Sequence, residues 1–160
     1  MSVNDLSHYR YRGARALVIM HERYLRECYE TWKQAKAANV QLPKTDDPNF
    51  QSLSHLLFHL LRASRGYMVW MCEQLQLPEP QIRPTPVPEK VESEADQYLE
   101  HLLEKWREPL AEVDEEHFYE PAYKSRWGSL YCLDGMLEHA VTHPLRHAFQ
   151  LRELMETQAK

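Results

Sequence analysis

Glycine is scarce, with four in 160 residues. That leaves few places for turns needing left-handed backbone and favours long helices. Cysteine is scarce too: Cys28, Cys72 and Cys132 lie far apart and form no CxxC pair. Neither a thiolate zinc site nor a disulfide framework is expected, and the three read as reduced thiols. No run of about 18 apolar residues occurs, the length a membrane-spanning helix needs. The opening residues carry no apolar signal-peptide core, so a cytoplasmic location is expected. Positive charge is also short, with 19 Lys and Arg against 24 Asp and Glu, a net charge of −5. The basic footprint of a nucleic-acid binder and the polybasic strip of a membrane-surface protein are both missing. Neither nucleic acid nor membrane is an expected partner.

Histidine, by contrast, is plentiful, with nine in the chain. Hydrophobic residues make up 43% and charged residues 27%, the composition of a chain that buries an ordinary core. Residues 1–160 read as one helical domain. The stretch that organises it is His139-Ala-Val-Thr-His143-Pro-Leu-Arg-His147, followed by Gln150 and Leu151. Imidazoles at successive i, i+4 steps lie along one side of a helix. Leu133, Met136, Ala140, His143, His147 and Leu151 follow the spacing of a core stripe. His143 and His147 therefore point inward and His139 sits at the edge. Burying two neighbouring imidazoles is costly unless their nitrogens find partners, and one divalent cation can occupy both.

Taken from the start, residues from about 6 to 38 carry the pattern of a long amphipathic helix, with His21, Cys28 and Trp32 on its inner stripe. It should stop near Asn39, before Pro43 and the Asp46-Asp47-Pro48-Asn49 cluster. His21 reads as a core or supporting histidine. A second helix is expected from residues 50–52 to about 77, with His59, Ala63, Tyr67 and Trp70 on its inner line. Spacing favours His59 over His55, which lies nearer the helix start. Five prolines over residues 78–88 predict an extended connection along the bundle, so that helix three starts at the same end as helix two. The third helix is expected over residues 91–111, with Leu99, Leu102, Leu103 and Trp106 inside. Residues 112–127 read as a long loop whose His117, Tyr119, Tyr123 and Trp127 could line a pocket mouth. The last helix is expected over residues 129–156. Val18 and Ile19, beside Leu17, read as spare apolar surface that permits a homodimer.

The fold class expected is therefore all-α, a four-helix bundle with long connections. Two ligands from one helix leave a metal site incomplete, and His59 is the best placed third. Three imidazoles leave open positions for water or substrate, as catalytic sites do. Such ligation suits zinc, nickel, copper or iron and does not suit magnesium or calcium. The glutamate of an HExxH protease is missing, since Pro144, Leu145 and Arg146 intervene. Pro144 predicts a kink beside His143, because it removes a backbone hydrogen bond. The same spacing also fits core histidines satisfied by hydrogen bonds.

Ser52-Leu-Ser-His-Leu-Leu-Phe-His59-Leu in the second helix and His143-Pro-Leu-Arg-His147-Ala-Phe-Gln150 in the last resemble the DinB/YfiT-like superfamily, whose final helix typically reads H-x3-H-x3-H-R-G-Q. The resemblance spans most of the chain and implies a four-helix bundle with metal ligands His59, His143 and His147. His139 matches a frequent extra histidine and Gln150 the family glutamine. Ala148 and Phe149 depart from the usual Arg and Gly. The resemblance further implies a metal-dependent hydrolase, or a transferase or isomerase that uses a low-molecular-weight thiol such as bacillithiol, mycothiol or glutathione. The expected cofactors are a divalent transition metal (Zn, Ni or Fe) and such a thiol, and the expected partner is a small-molecule substrate. His21, Tyr67, Trp70 and the loop aromatics are candidate pocket walls, and no general base stands out. The competing reading is a noncatalytic bundle that binds a small ligand or haem, or serves as an interaction module.

Overall fold

The computed structural model describes residues 5–160; residues 1–4, the first of the opening residues in which no signal-peptide core is expected, lie outside the described residues. The described residues form four long helices, α1 (Arg12–Ala37), α2 (Leu53–Gln74), α3 (Pro88–Trp106) and, after two short features, α5 (Leu133–Gln158). The short features are a single turn, α4 (Glu116–Tyr119), and a two-residue antiparallel pair of β1 (Tyr123–Lys124) with β2 (Leu130–Tyr131). The all-α bundle expected from the sequence is what the chain forms.

Helix α1 starts at Arg12, later than the apolar pattern predicts. Leu6 and Tyr9 are buried although the chain there only turns. The Tyr9 hydroxyl donates to the Arg107 carbonyl at 2.8 Å, and the Arg10 amide donates to the Ala111 carbonyl at 2.9 Å. Core contact thus continues the helical spacing without a helix. At its other end α1 stops where expected. Asn39 takes φ of 52° and the Val40 amide returns to the Ala35 carbonyl, a left-handed helix terminus of the kind asparagine tolerates.

Ser52 caps α2 by accepting from the His55 amide. One turn earlier, Asp47 accepts from the Asn49 amide and opens a 3₁₀ turn over Pro48–Phe50, which delivers Phe50 to the side of the bundle. The proline-rich connection is extended, as expected, and tied down: Arg65 donates to the Ile82 carbonyl at 3.0 Å, and the Tyr98 hydroxyl to the Arg83 carbonyl at 3.0 Å. Pro88 at the first helical position starts α3 earlier than predicted.

Cross-helix bonds fix the directions. Ser54 meets Glu92 near the starts of α2 and α3, and the Trp106 indole donates to the Ser64 carbonyl further along, so these two run parallel. The Trp32 indole reaches the Leu53 carbonyl at 2.7 Å while His21 meets Ser64, so α1 opposes α2. Arg152 pairs with Glu27, and Tyr11 with Asp134 at the other end, so α5 runs beside α1 in the same direction. Helices α2 and α5 are consequently antiparallel, which brings the middle of α5 against the first turns of α2.

Two expectations need correction. The segment before the last helix is not a plain loop: β2 pairs Leu130 and Tyr131 with Lys124 and Tyr123, which delays α5 to Leu133, with the Cys132 sulfur accepting at its start. Val18, read as spare surface for a dimer, is buried at 2% exposure, and Leu17 and Ile19 pack against the core. The buried side of α1 runs through Ala14, Val18, His21 and Leu25, so Val18 belongs to the inner stripe. No described helix is long and apolar enough to cross a membrane.

Candidate metal centre

Helix α5 continues through Pro144, and His143 and His147 stay on its inner face, 6% and 8% exposed. Their rings lie 4.7 Å apart, centroid to centroid. Helix α2 supplies His59, whose Nε2 lies 3.0 Å from Nε2 of His143 and whose ring centroid is 5.4 Å from that of His147. One nitrogen of each ring falls within 4.8 Å of the others. The residues that spacing singled out for one site are thus brought together by the antiparallel packing of α2 on α5.

Burial sets the charge state. It pushes His143 down to about 2, with the rings of His147, His59 and His139 acting in the same direction. It pushes His147 down to about 4, His59 adding to the effect and Gln150 opposing it. Burial likewise lowers His59, against an opposing pull from Asp47. At neutral pH all three imidazoles are neutral and offer lone pairs, which is the state a transition metal requires of them. The donor set fits a divalent transition cation: three borderline nitrogen ligands from two rigid helices, with no carboxylate in the convergent group.

A model of the DinB family matches residues 23–157, which include all three histidines. The chain belongs to the DinB family. No curated protein and no solved structure matches it significantly. In this DinB-family bundle, two cavities reach the triad from different sides. On the His147 side an apolar cavity of about 560 Å³ is walled by Leu42, Phe50, Leu56, Leu151 and Leu154, with Gln150 at its edge. On the His59 side a second cavity of about 490 Å³ is walled by Tyr67, Trp70 and Trp127 together with arginines. Phe50 stands between them, its ring 5.8 Å from both His59 and His147.

The remaining candidates fall elsewhere. His139 is half-buried at the edge of the triad, between Tyr67, Trp127 and Tyr131, and outside the convergent group. His55 stays at the start of α2, its Nδ1 2.9 Å from the Ser52 hydroxyl. His21 is not a pocket wall. It stacks on Trp106 with centroids 3.6 Å apart and meets the Ser64 hydroxyl through Nε2 at 2.9 Å, deep in the core. Of the loop aromatics Trp127 lines the His59-side cavity, whereas Tyr119 pairs with Tyr11, Tyr123 lies edge-on to Trp70, and His117 is exposed beside Glu116. Sequence reasoning missed Phe50 and the cavity arginines Arg62, Arg65 and Arg126. Arg62 had a signal, since it lies three residues after His59 and so on a neighbouring part of the same face. Arg126 had none, because only the β1–β2 hairpin carries it across to α2.

Proposed function

We propose that this DinB-family chain is a metal-dependent enzyme that joins a low-molecular-weight thiol to a small electrophile, with His59, His143 and His147 holding the metal. The observation that carries the reading is the convergence of three neutral, mostly buried imidazoles at one point. A divalent zinc, nickel or iron ion bound there supplies a Lewis acid that makes a nucleophile of a thiol or of water at neutral pH. The protein's part is to keep the imidazoles deprotonated by burial, to aim them from two rigid helices, and to admit reactants from the two cavities. Two separate cavities favour transfer between two reactants over hydrolysis of one, since water needs no cavity of several hundred Å³. A reducing cytoplasm suits both the thiol and the unpaired Cys28, Cys72 and Cys132.

The test is elemental mass spectrometry on untagged protein, followed by thiol consumption with a panel of electrophiles. About one equivalent of metal in the wild type, lost from His59→Ala, His143→Ala and His147→Ala together with thiol consumption, is the expected result. A wild type that holds no metal after reconstitution overturns the proposal and leaves the three rings as core packing.

A further inference from the structure

We infer that the cavity on the His59 side receives an anionic, planar small molecule, its acid group held by Arg126 and Arg62 and its flat body laid against Trp127 and Trp70. The inference deepens the proposed function by naming the class of one reactant, and it rests on that reading for what happens after binding, not for binding itself.

The charge of this cavity runs against the charge of the chain. The protein carries a net charge of −5, yet Arg62, Arg65 and Arg126 all line this one cavity and no carboxylate does. The three guanidinium groups are also poorly satisfied by protein partners among the described residues. Arg65 donates through Nε to the Ile82 carbonyl at 3.0 Å, which anchors the side chain and leaves its terminal nitrogens available. Arg62 lies over the Phe58 ring at 5.7 Å and makes no ion pair among the described residues. Arg126 meets Glu73 at 3.5 Å, with both side chains more than half exposed; a pair of that kind contributes little and re-aims readily. Guanidinium groups left in this condition around a concave site match carboxylate, phosphate or sulfonate, which they bind by paired donors.

The walls define the rest of the ligand. The Trp70 indole N–H is already committed to the Lys124 carbonyl at 3.1 Å and the side chain is 3% exposed, so it is fixed and gives the cavity a strip of hydrocarbon rather than a donor. Trp127 is half exposed and edge-on to Tyr67, with ring centroids 6.3 Å apart. A large aromatic left half in water at a cavity rim gains by covering with a flat apolar surface. Gly66 opens the floor: a β-carbon there would come within 3.7 Å of an Arg126 terminal nitrogen, so a larger side chain would take the space the acid group needs. His59 belongs to the same wall, which puts the far end of such a ligand beside the triad. The opposite cavity is largely apolar and has Glu153 but neither arginine nor lysine in its lining, so the two reactants of a transfer would be told apart by charge.

The experiment is a titration followed by calorimetry and by tryptophan emission, using benzoate and phenylphosphonate as probes and neutral benzamide as the control of equal shape. It is run on metal-free and on zinc-reconstituted protein. Both anions are expected to bind at least about tenfold more tightly than benzamide in either form, with a change in emission from Trp127. Arg126→Gln and Arg62→Gln are each expected to weaken anion binding about tenfold, leaving benzamide binding, melting temperature and metal content unchanged. Equal binding of benzoate and benzamide overturns the inference. So does anion binding seen only with zinc present and indifferent to both arginine substitutions, since the acid group would then sit on the metal. Arginine-dependent anion binding by a protein that takes up no metal upholds the inference while removing the metal-dependent function.

Discussion

Nε2 of His59 and Nε2 of His143 face each other at 3.0 Å across the interface of α2 and α5. Two neutral imidazoles in this arrangement share a single proton, one donating and the other accepting. His147 stands on the same side, at ring distances of 4.7 and 5.4 Å from the other two, and burial disfavours the charged form of all three. One shared proton leaves a third inward-facing nitrogen unserved in surroundings that disfavour charging, whereas a cation that displaces that proton serves all three.

The triad and the histidine beside it are expected to separate cleanly in metal retention. His139 lies one turn from His143, stacked at 6.3 Å, yet offers no nitrogen to the convergent group. His139→Ala should therefore keep about one equivalent of metal, whereas His143→Ala should lose it. Melting with and without chelator checks the same point. A ligand present at roughly 100 times its dissociation constant stabilises the native state by about 2.7 kcal/mol, so chelation should lower the melting temperature of wild type and His139→Ala and leave His143→Ala unmoved. Metal retained by His143→Ala would show that the triad is wrongly drawn.

Binding of that metal should release few protons. At about pH 6, three ordinary imidazoles with pKa near 6.5 would be mostly charged and would give up about two protons to the solvent on ligation. Here burial holds His143 at about 2 and His147 at about 4, so those two are already deprotonated, and it lowers His59 as well. Calorimetric titration of zinc at about pH 6, in buffers of different ionisation enthalpy, should report fewer than about one proton per metal. A release near two would mean that the rings are solvated in the free protein.

How far the sequence reaches this site depends on which signal each residue carries. His143 and His147 were legible because an i, i+4 pair on an apolar stripe places both side chains on the inner face, whether as ligands or as core histidines, and His59 because it lies on the inner line of α2. Helix ends were legible where a side chain made them, as at Ser52 and Asn39. They were not legible where burial outran the helix: Leu6 and Tyr9 keep the apolar spacing through a turn. The β1–β2 pair, two residues a side, is too short to show alternation. The arginine-lined cavity was hidden for a related reason. Arg126 and Trp127 come to face Arg62 only through the β1–β2 hairpin, which the sequence does not announce.

Acid should destabilise the bundle through His21. This side chain is enclosed by Trp106 and Ser64, its Nδ1 has no partner among the described residues, and burial pushes it down to about 3. In the unfolded chain it titrates near 6.5. Between those values the unfolded state binds the proton and the native state does not, so the contribution is complete above about pH 6.5 and is lost as pH falls toward 3. The slope from this one group approaches about 1.4 kcal/mol per pH unit. His21→Phe with Ser64→Ala removes both partners of the hydrogen bond and keeps the stack on Trp106. The double variant should melt with a visibly flatter dependence between pH 6 and 4 than wild type. Parallel pH profiles would assign the acid sensitivity to other groups.

The clamp between α1 and α3 should matter more than its neighbours on the surface. Glu22 is buried at 7% exposure and accepts from Arg107 through Nη2 at 2.8 Å and Nε at 3.2 Å, while Arg26, one turn along α1, reaches both Glu22 and Glu100. A two-pronged guanidinium on a mostly buried carboxylate is the geometry in which an ion pair contributes most. Truncating Glu22 leaves the Arg107 fork without its acceptor in a part-buried place, at a cost of about 1–3 kcal/mol. The exposed pair of Lys33 with Glu30 at 2.6 Å supplies the contrast, since such i, i+3 surface pairs contribute no more than about 0.5 kcal/mol. Thermal melts should place Glu22→Ala several degrees below wild type, at roughly 2–4 °C per kcal/mol for a chain of this size, and Glu30→Ala within a degree or two of it. Molar salt should narrow the gap for neither: the Glu22 pair is shielded from screening by burial, and the Glu30 pair has little to lose. Equal melting of the two variants would mean that α1 and α3 are held by their apolar faces alone.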